Sequence, residues 1–107
     1  MTWPESPLPQ PYVLRLFVTG TTTRSLRAIA NIRRICDEHL AGRCELEVVD
    51  VYANPEATRE FQIVATPTLV KILPEPMRRI IGDLSDSPRV LAGLNIAPAG
   101  VSTEALS

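Results

Sequence analysis

The chain predicts an α/β domain with its elements in the order βαβαββα. Three observations carry that reading. Two apolar runs, 12–18 and 44–52, flank one long amphipathic stretch at 25–42, the pattern of a β–α–β unit. Two further apolar runs, 66–73 and 77–83, are separated by the rigid turn Pro74-Glu75-Pro76, the pattern of an antiparallel hairpin. Thr66-Pro67-Thr68 stands directly before the third run, so a proline shapes the start of that strand.

The first run, "YVLRLFV", is almost continuously apolar and broken only by Arg15. Such a run suits a strand covered on both faces. "TGTTTRS" follows as a turn, with Thr23 or Ser25 as the expected cap of the next helix. Over 25–42, apolar residues fall at 26, 29, 32, 36 and 40, with 28 and 35 widening the stripe. Arg24, Arg27, Arg33 and Arg34 take the other face, and Gly42 stands where a helix-ending glycine belongs. "CELEVVDVY" predicts a strand over 44–52. A helix of about two turns is expected over 54–64, capped by Asn54 with Pro55 at its first position. The last helix, over 88–92, is opened by Ser87 and Pro88 and ended by Gly93. A β–α–β unit implies parallel strands with a right-handed crossover. Joined to the hairpin, it predicts a thioredoxin-like architecture, with a cis bond at Pro67.

At 107 residues and 45% hydrophobic, the chain suits one domain over 12–96. The proline-rich segment 1–11 and the small, polar segment 97–107 are expected to be flexible. Formal net charge is −1, with both signs mixed along the chain, so neither nucleic acid nor membrane is an expected partner. No apolar run approaches the about 20 residues that span a bilayer. The first residues lack the pattern of a signal peptide, and a cytoplasmic location is expected.

The residues argue against enzyme chemistry. In a redox thioredoxin the reactive thiol sits at the start of the first helix. Here Thr21, Thr22, Thr23, Arg24 and Ser25 hold that place. Cys36 and Cys44 flank "DEHLAGR" without a redox or zinc spacing, and His39 is the single histidine. Asp37, Glu38 and His39 are consecutive, and consecutive helical residues do not face one another. There is no P-loop and no dinucleotide fingerprint. No catalytic residue, metal or cofactor is therefore expected, and both cysteines are read as reduced thiols.

Five stretches together resemble the circadian clock protein KaiB family. They are "YVLRLFVTG", "SLRAIANI", "LEVVDVYANPE", "IVATPTLVKILPEPMRRIIGDLSD" and "RVLAGLNI", and they cover about 12–96. The resemblance implies a non-enzymatic regulator of circadian rhythm or timing. Such a protein binds the hexameric KaiC ATPase ring, modulates its phosphorylation cycle, and then captures KaiA or competes with a sensor histidine kinase. It also implies two folds: a ground-state α+β fold (βαββααβ) in a homodimer or homotetramer, and a thioredoxin-like monomer that binds KaiC. The short, proline-punctuated second half fits two packings of similar energy.

The family's KaiC-binding positions map onto Arg27, Lys71, Arg78 and Arg79. Its fold-switch positions map onto Tyr12, Pro76, Gly93 and Asn95. Pro67 and Pro74 join them because X–Pro bonds hold two isomers close in energy. Gly93 suits a switch if it takes positive φ in one fold only. Asn95 stands where cyanobacterial members carry Asp, and Glu47 and Gln62 where they carry Lys. With no long acidic tail, these departures place the chain nearer a non-cyanobacterial or divergent branch and leave KaiA open as a partner. Two other readings stay open. One is a stress-adaptation or histidine-kinase signalling module without a true clock. The other is a thiol redox protein, which needs Cys36 or Cys44 exposed with a lowered pKa.

Overall fold

A computed structural model describes residues 11–40 and 42–96. The segment expected to be flexible at 1–11, apart from Pro11, and that at 97–107 lie outside the described residues. The elements are β1 (Tyr12–Val18), α1 (Thr23–His39), β2 (Cys44–Asp50), α2 (Pro55–Glu60), β3 (Thr68–Leu73), β4 (Arg78–Ile81) and α3 (Ser87–Leu94). They form one four-stranded sheet in the order β2-β1-β3-β4. β2 runs parallel to β1, while β3 and β4 are antiparallel to their neighbours. This is the expected thioredoxin-like order.

Strand alternation sorts the side chains into two layers. Leu14, Leu16 and Val18 of β1, Leu69 of β3 and Ile80 of β4 pack with Ile32 and Ile35 of α1 and Val90, Leu91 and Leu94 of α3. Phe17, Val49 and Val70 point the other way, toward Ala57 of α2 and Phe61 beyond its end. Arg15, the one charge in β1, reaches Glu47 at 3.1 Å on the paired strand and lies 5.3 Å over the Phe61 ring. Glu47 thus has a local role that a lysine at this position would lose.

The element ends depart from expectation for local reasons. Thr22, not Thr23 or Ser25, caps α1, accepting from the Ser25 N–H at 3.2 Å. Ser25 is buried, and its hydroxyl instead accepts from the Thr19 N–H at 3.1 Å. β2 stops at Asp50 because its carboxylate accepts from the Tyr52 N–H at 2.8 Å and its carbonyl from Ala53 and Asn54. Asn54 holds the N-cap place of α2, but its side-chain amide donates to the Asp50 carbonyl rather than capping the helix. That helix ends at Glu60, short of the expected 64, where Gln62 takes φ 55°. α3 is capped by Asp86, which accepts from the Arg89 N–H at 3.3 Å, rather than by Ser87.

Gly93 does not end α3. The helix runs through it to Leu94 and closes on Asn95, which takes the left-handed conformation at φ 61°, ψ 44°. In this fold Gly93 is helical, and what its missing side chain supplies is space. A Cβ there would stand 2.8 Å from Ile80 Cδ1 and 3.1 Å from its Cγ1. Gly93→Ala is expected to cost about 1 kcal/mol by displacing that side chain. The loss should shrink in an Ile80→Val background, which removes Cδ1. Thermal unfolding of the four proteins of that cycle measures the coupling, and equal losses in both backgrounds would contradict the contact.

Candidate functional site

The end of the domain where β1 meets α1 is filled by hydroxyls. Thr19 and Thr66 are joined through their side-chain oxygens, and Thr22 donates to Ser25 Oγ at 2.9 Å. The Thr66–Pro67 bond is cis, as the thioredoxin-like reading expects, and the Pro67 carbonyl accepts from the Gly82 N–H at 2.9 Å. A shallow depression beside it is lined by Thr19, Tyr52, Thr58, Ile63, Val64 and Thr66, among others. Tyr52 and Val64 stand out from its rim at 79% and 89% exposure. No thiol belongs to this end, so the chemistry of a thioredoxin has nothing to act with here.

The four basic residues do not form one patch. Arg78 and Arg79 are exposed on the edge strand β4. Arg79 pairs with Val70 and donates from Nε to the Phe61 carbonyl at 3.0 Å, which places it on the α2 side. Arg78 pairs with Lys71 on the α1 and α3 side. Arg27 is exposed on α1 and lies beside Asp83, just past the end of β4, so it sits at the end of the hairpin away from the Pro74–Pro76 turn. The Asp83 carboxyl is held below its usual range, first by hydrogen bonds from Ser85 and then by the charges of Arg24 and Arg27.

Lys71, expected at the binding surface, is buried at 1% exposure. Strand alternation puts it on the same face as Leu69, and no acidic side chain pairs with it among the described residues. In this fold it lies beside Arg78 under the hairpin.

The expected switch positions fall in three places, with Pro67 at the hydroxyl-filled end. Tyr12 and Asn95 meet: the buried Tyr12 hydroxyl donates to the Asn95 carbonyl at 3.2 Å, tying the first strand to the end of the last helix. Gly93 lies two residues earlier on that helix. Pro74 and Pro76 are both cis and form the β3–β4 turn, away from that tie. A contact that periodicity does not reveal joins Cys36 and Cys44. Only the crossing of the α1 exit with the start of β2 creates it.

Fold and site together define a thioredoxin-fold domain with hydroxyl side chains, not a thiol pair, at the end where β1 meets α1. The KaiB domain family matches residues 15–96. Circadian clock protein KaiB3 of Synechocystis is 51% identical over 89 residues, 83% of this chain and 87% of that protein. Circadian clock oscillator protein KaiB of Prochlorococcus marinus is 50% identical over 95 residues, 89% of this chain and 80% of that protein. Among solved structures, the N-terminal domain of Synechococcus elongatus SasA superposes with a TM-score of 0.68 at 27% identity, covering 95% of this chain and 99% of that one. Mitochondrial thioredoxin 3 of Saccharomyces cerevisiae shares the fold at TM-score 0.65 and 15% identity, over 80% of this chain and 78% of its own. The chain belongs to the KaiB family, and with it to the proteins of circadian clock regulation. Among the described residues no helix is long and apolar enough to cross a membrane.

Burial, and then the charge of Arg78, lower the pKa of Lys71. The unfolded chain therefore holds this proton more tightly than the folded one. Stability contributed by this group rises with pH from the folded pKa up to the ordinary 10.5. Lys71→Met is expected to raise stability modestly near neutral pH, because the variant has no ammonium to desolvate beside Arg78. That advantage should narrow as pH climbs toward 10.5. Urea melts at neutral and alkaline pH measure it, and a destabilised variant with unaltered pH dependence would contradict the assignment.

Proposed function

We propose that the protein is a non-enzymatic timing regulator that binds a KaiC-type hexameric ATPase through its β3–β4 hairpin and the polar face of α1. The observation that carries this reading is family membership over 15–96 combined with the exposed pair Arg78 and Arg79 on an edge strand. Leu73, Met77 and Ile81 are exposed beside them, giving the mixed apolar and basic surface that suits a protein partner. Arg27 adds a second contact, and Lys71 positions the hairpin from beneath. The thioredoxin-like state is the binding state. The free protein exchanges with an α+β homodimer or homotetramer in the cytoplasm, with Tyr12, Pro67, Pro74, Pro76, Gly93 and Asn95 at the positions that rearrange. Dilution favours the monomer by mass action.

The likeness to the SasA domain supports a related role: competition with a sensor histidine kinase for the same ATPase surface. KaiA is not required by this reading.

Arg78→Ala and Arg79→Ala are each expected to weaken the complex by roughly 1–2 kcal/mol, about tenfold in affinity, and Arg27→Ala by less. Lys71→Met should leave affinity nearly unchanged. Equilibrium binding of these variants to the ATPase with ATP tests the assignment. Wild-type affinity in Arg78→Ala and Arg79→Ala would remove the hairpin from the interface.

A further inference from the structure

A pair of thiols sits at the opposite end of α1 from the hydroxyl-filled end. Cys36 Sγ and Cys44 Sγ are 2.7 Å apart, and both are free. Cys36 lies in the last turn of α1 and is buried, while Cys44 opens β2 and is half-buried. The contact is held by backbone on both sides. The Cys36 carbonyl accepts from the Leu40 N–H at 2.9 Å, and the Leu40 carbonyl from the Arg43 N–H at 2.8 Å, fixing the helix exit. The Tyr12 N–H donates to the Arg43 carbonyl at 2.6 Å, and Tyr12 is paired with Cys44, fixing the start of β2. A shallow depression lined by Arg33, Cys36, Asp37, Cys44 and Leu46 gives access from solvent.

The two thiols are not equivalent. A hydrogen bond from Cys36 lowers the Cys44 pKa, against the opposing effects of burial and of Asp37. The same bond raises the Cys36 pKa, with burial acting in the same direction. Cys44 is the nucleophile of the pair, because it is the thiol that solvent reaches while Cys36 is buried behind it. Cys36 is the resolving partner. Once Cys44 is capped, the bond that holds the Cys36 proton is gone.

We propose that Cys36 and Cys44 form a reversible dithiol–disulfide site whose oxidant is a low-molecular-weight disulfide of the glutathione class. The Cys44 thiolate attacks one sulfur of the small disulfide. Its S–S bond breaks, the first small thiolate leaves and takes up a proton, and a mixed disulfide remains on Cys44. Cys36 loses its proton to solvent and attacks the Cys44 sulfur, expelling the second small thiolate. Two protein thiols are oxidised to one disulfide, and one small disulfide is reduced to two small thiols. A disulfide needs Sγ atoms about 2.05 Å apart, so closure asks for a shift of less than about 1 Å. The product joins the exit of α1 to the start of β2, beside Tyr12.

The test uses the full chain in glutathione redox buffers. Free thiols are trapped by alkylation and counted by intact mass and peptide mapping. The wild type is expected to lose both alkylation sites together, to show a Cys36–Cys44 linked peptide, and to recover both sites with dithiothreitol. Cys36→Ser should stop at one glutathione adduct on Cys44. Cys44→Ser should react at least about tenfold more slowly, because the remaining Cys36 thiol is buried and out of reach of the small disulfide. The proposal falls if the wild type keeps both sites alkylatable in oxidising buffer. It also falls if its disulfides form only between chains, or if the two serine variants react equally fast. The wild-type peptide map alone decides the matter if a serine variant fails to fold.

Discussion

Strand β1 has hydrogen-bonded neighbours on both edges and packed side chains on both faces, and the domain is arranged around that constraint. Leu14, Leu16 and Val18 lie beneath α1 and α3, while Phe17 lies beneath α2. Each fully buried side chain of this kind contributes about 1.5–3 kcal/mol, so seven residues anchor both layers. The only charge in the strand survives because Glu47 and the Phe61 ring flank it. The ends of β1 then place the two regions of interest. Its start holds Tyr12 against Asn95 and sets the register of Cys44. Its far end leads to Thr19 and the hydroxyl network around Pro67.

Most of the fold was legible in the sequence, because periodicity reports which faces are covered. The helix within 25–42, the buried run 12–18 and the hairpin punctuated by Pro74 and Pro76 each impose their own repeat. What periodicity does not report is where a side chain spends its hydrogen bonds. Ser25 was a reasonable cap until Thr19 engaged its hydroxyl, and Asn54 until Asp50 engaged its amide. Gly93 read as a stop because glycine ends many helices, whereas here the helix runs on through it close against Ile80. Lys71 was placed at the binding surface by the family resemblance, not by its own pattern. Its period-two relation to Leu69 is the signal that points inward.

The candidate site was legible only in part. Arg78 and Arg79 are neighbours in sequence, so their shared exposure on β4 follows once the strand is placed. That they face opposite sides of the sheet also follows, since successive side chains alternate. The meeting of Tyr12 with Asn95 and that of Cys36 with Cys44 depend on tertiary register, which no local pattern carries. These two contacts lie close together along β1 and β2, because Tyr12 is the strand partner of Cys44. The proposed partner surface on the hairpin and α1 and the thiol pair at the α1 exit are separate features of one scaffold.

The most direct test of the proposed timing role is the rate at which the complex with the ATPase forms. The chain would be mixed with the KaiC-type hexamer from the same source in the presence of ATP and followed by co-elution from minutes to hours. A binding state drawn from a ground state of another fold predicts a complex that grows slowly toward its limit. Full binding at the first time point would remove the need for a fold switch, and no complex at any time would contradict the proposed partner.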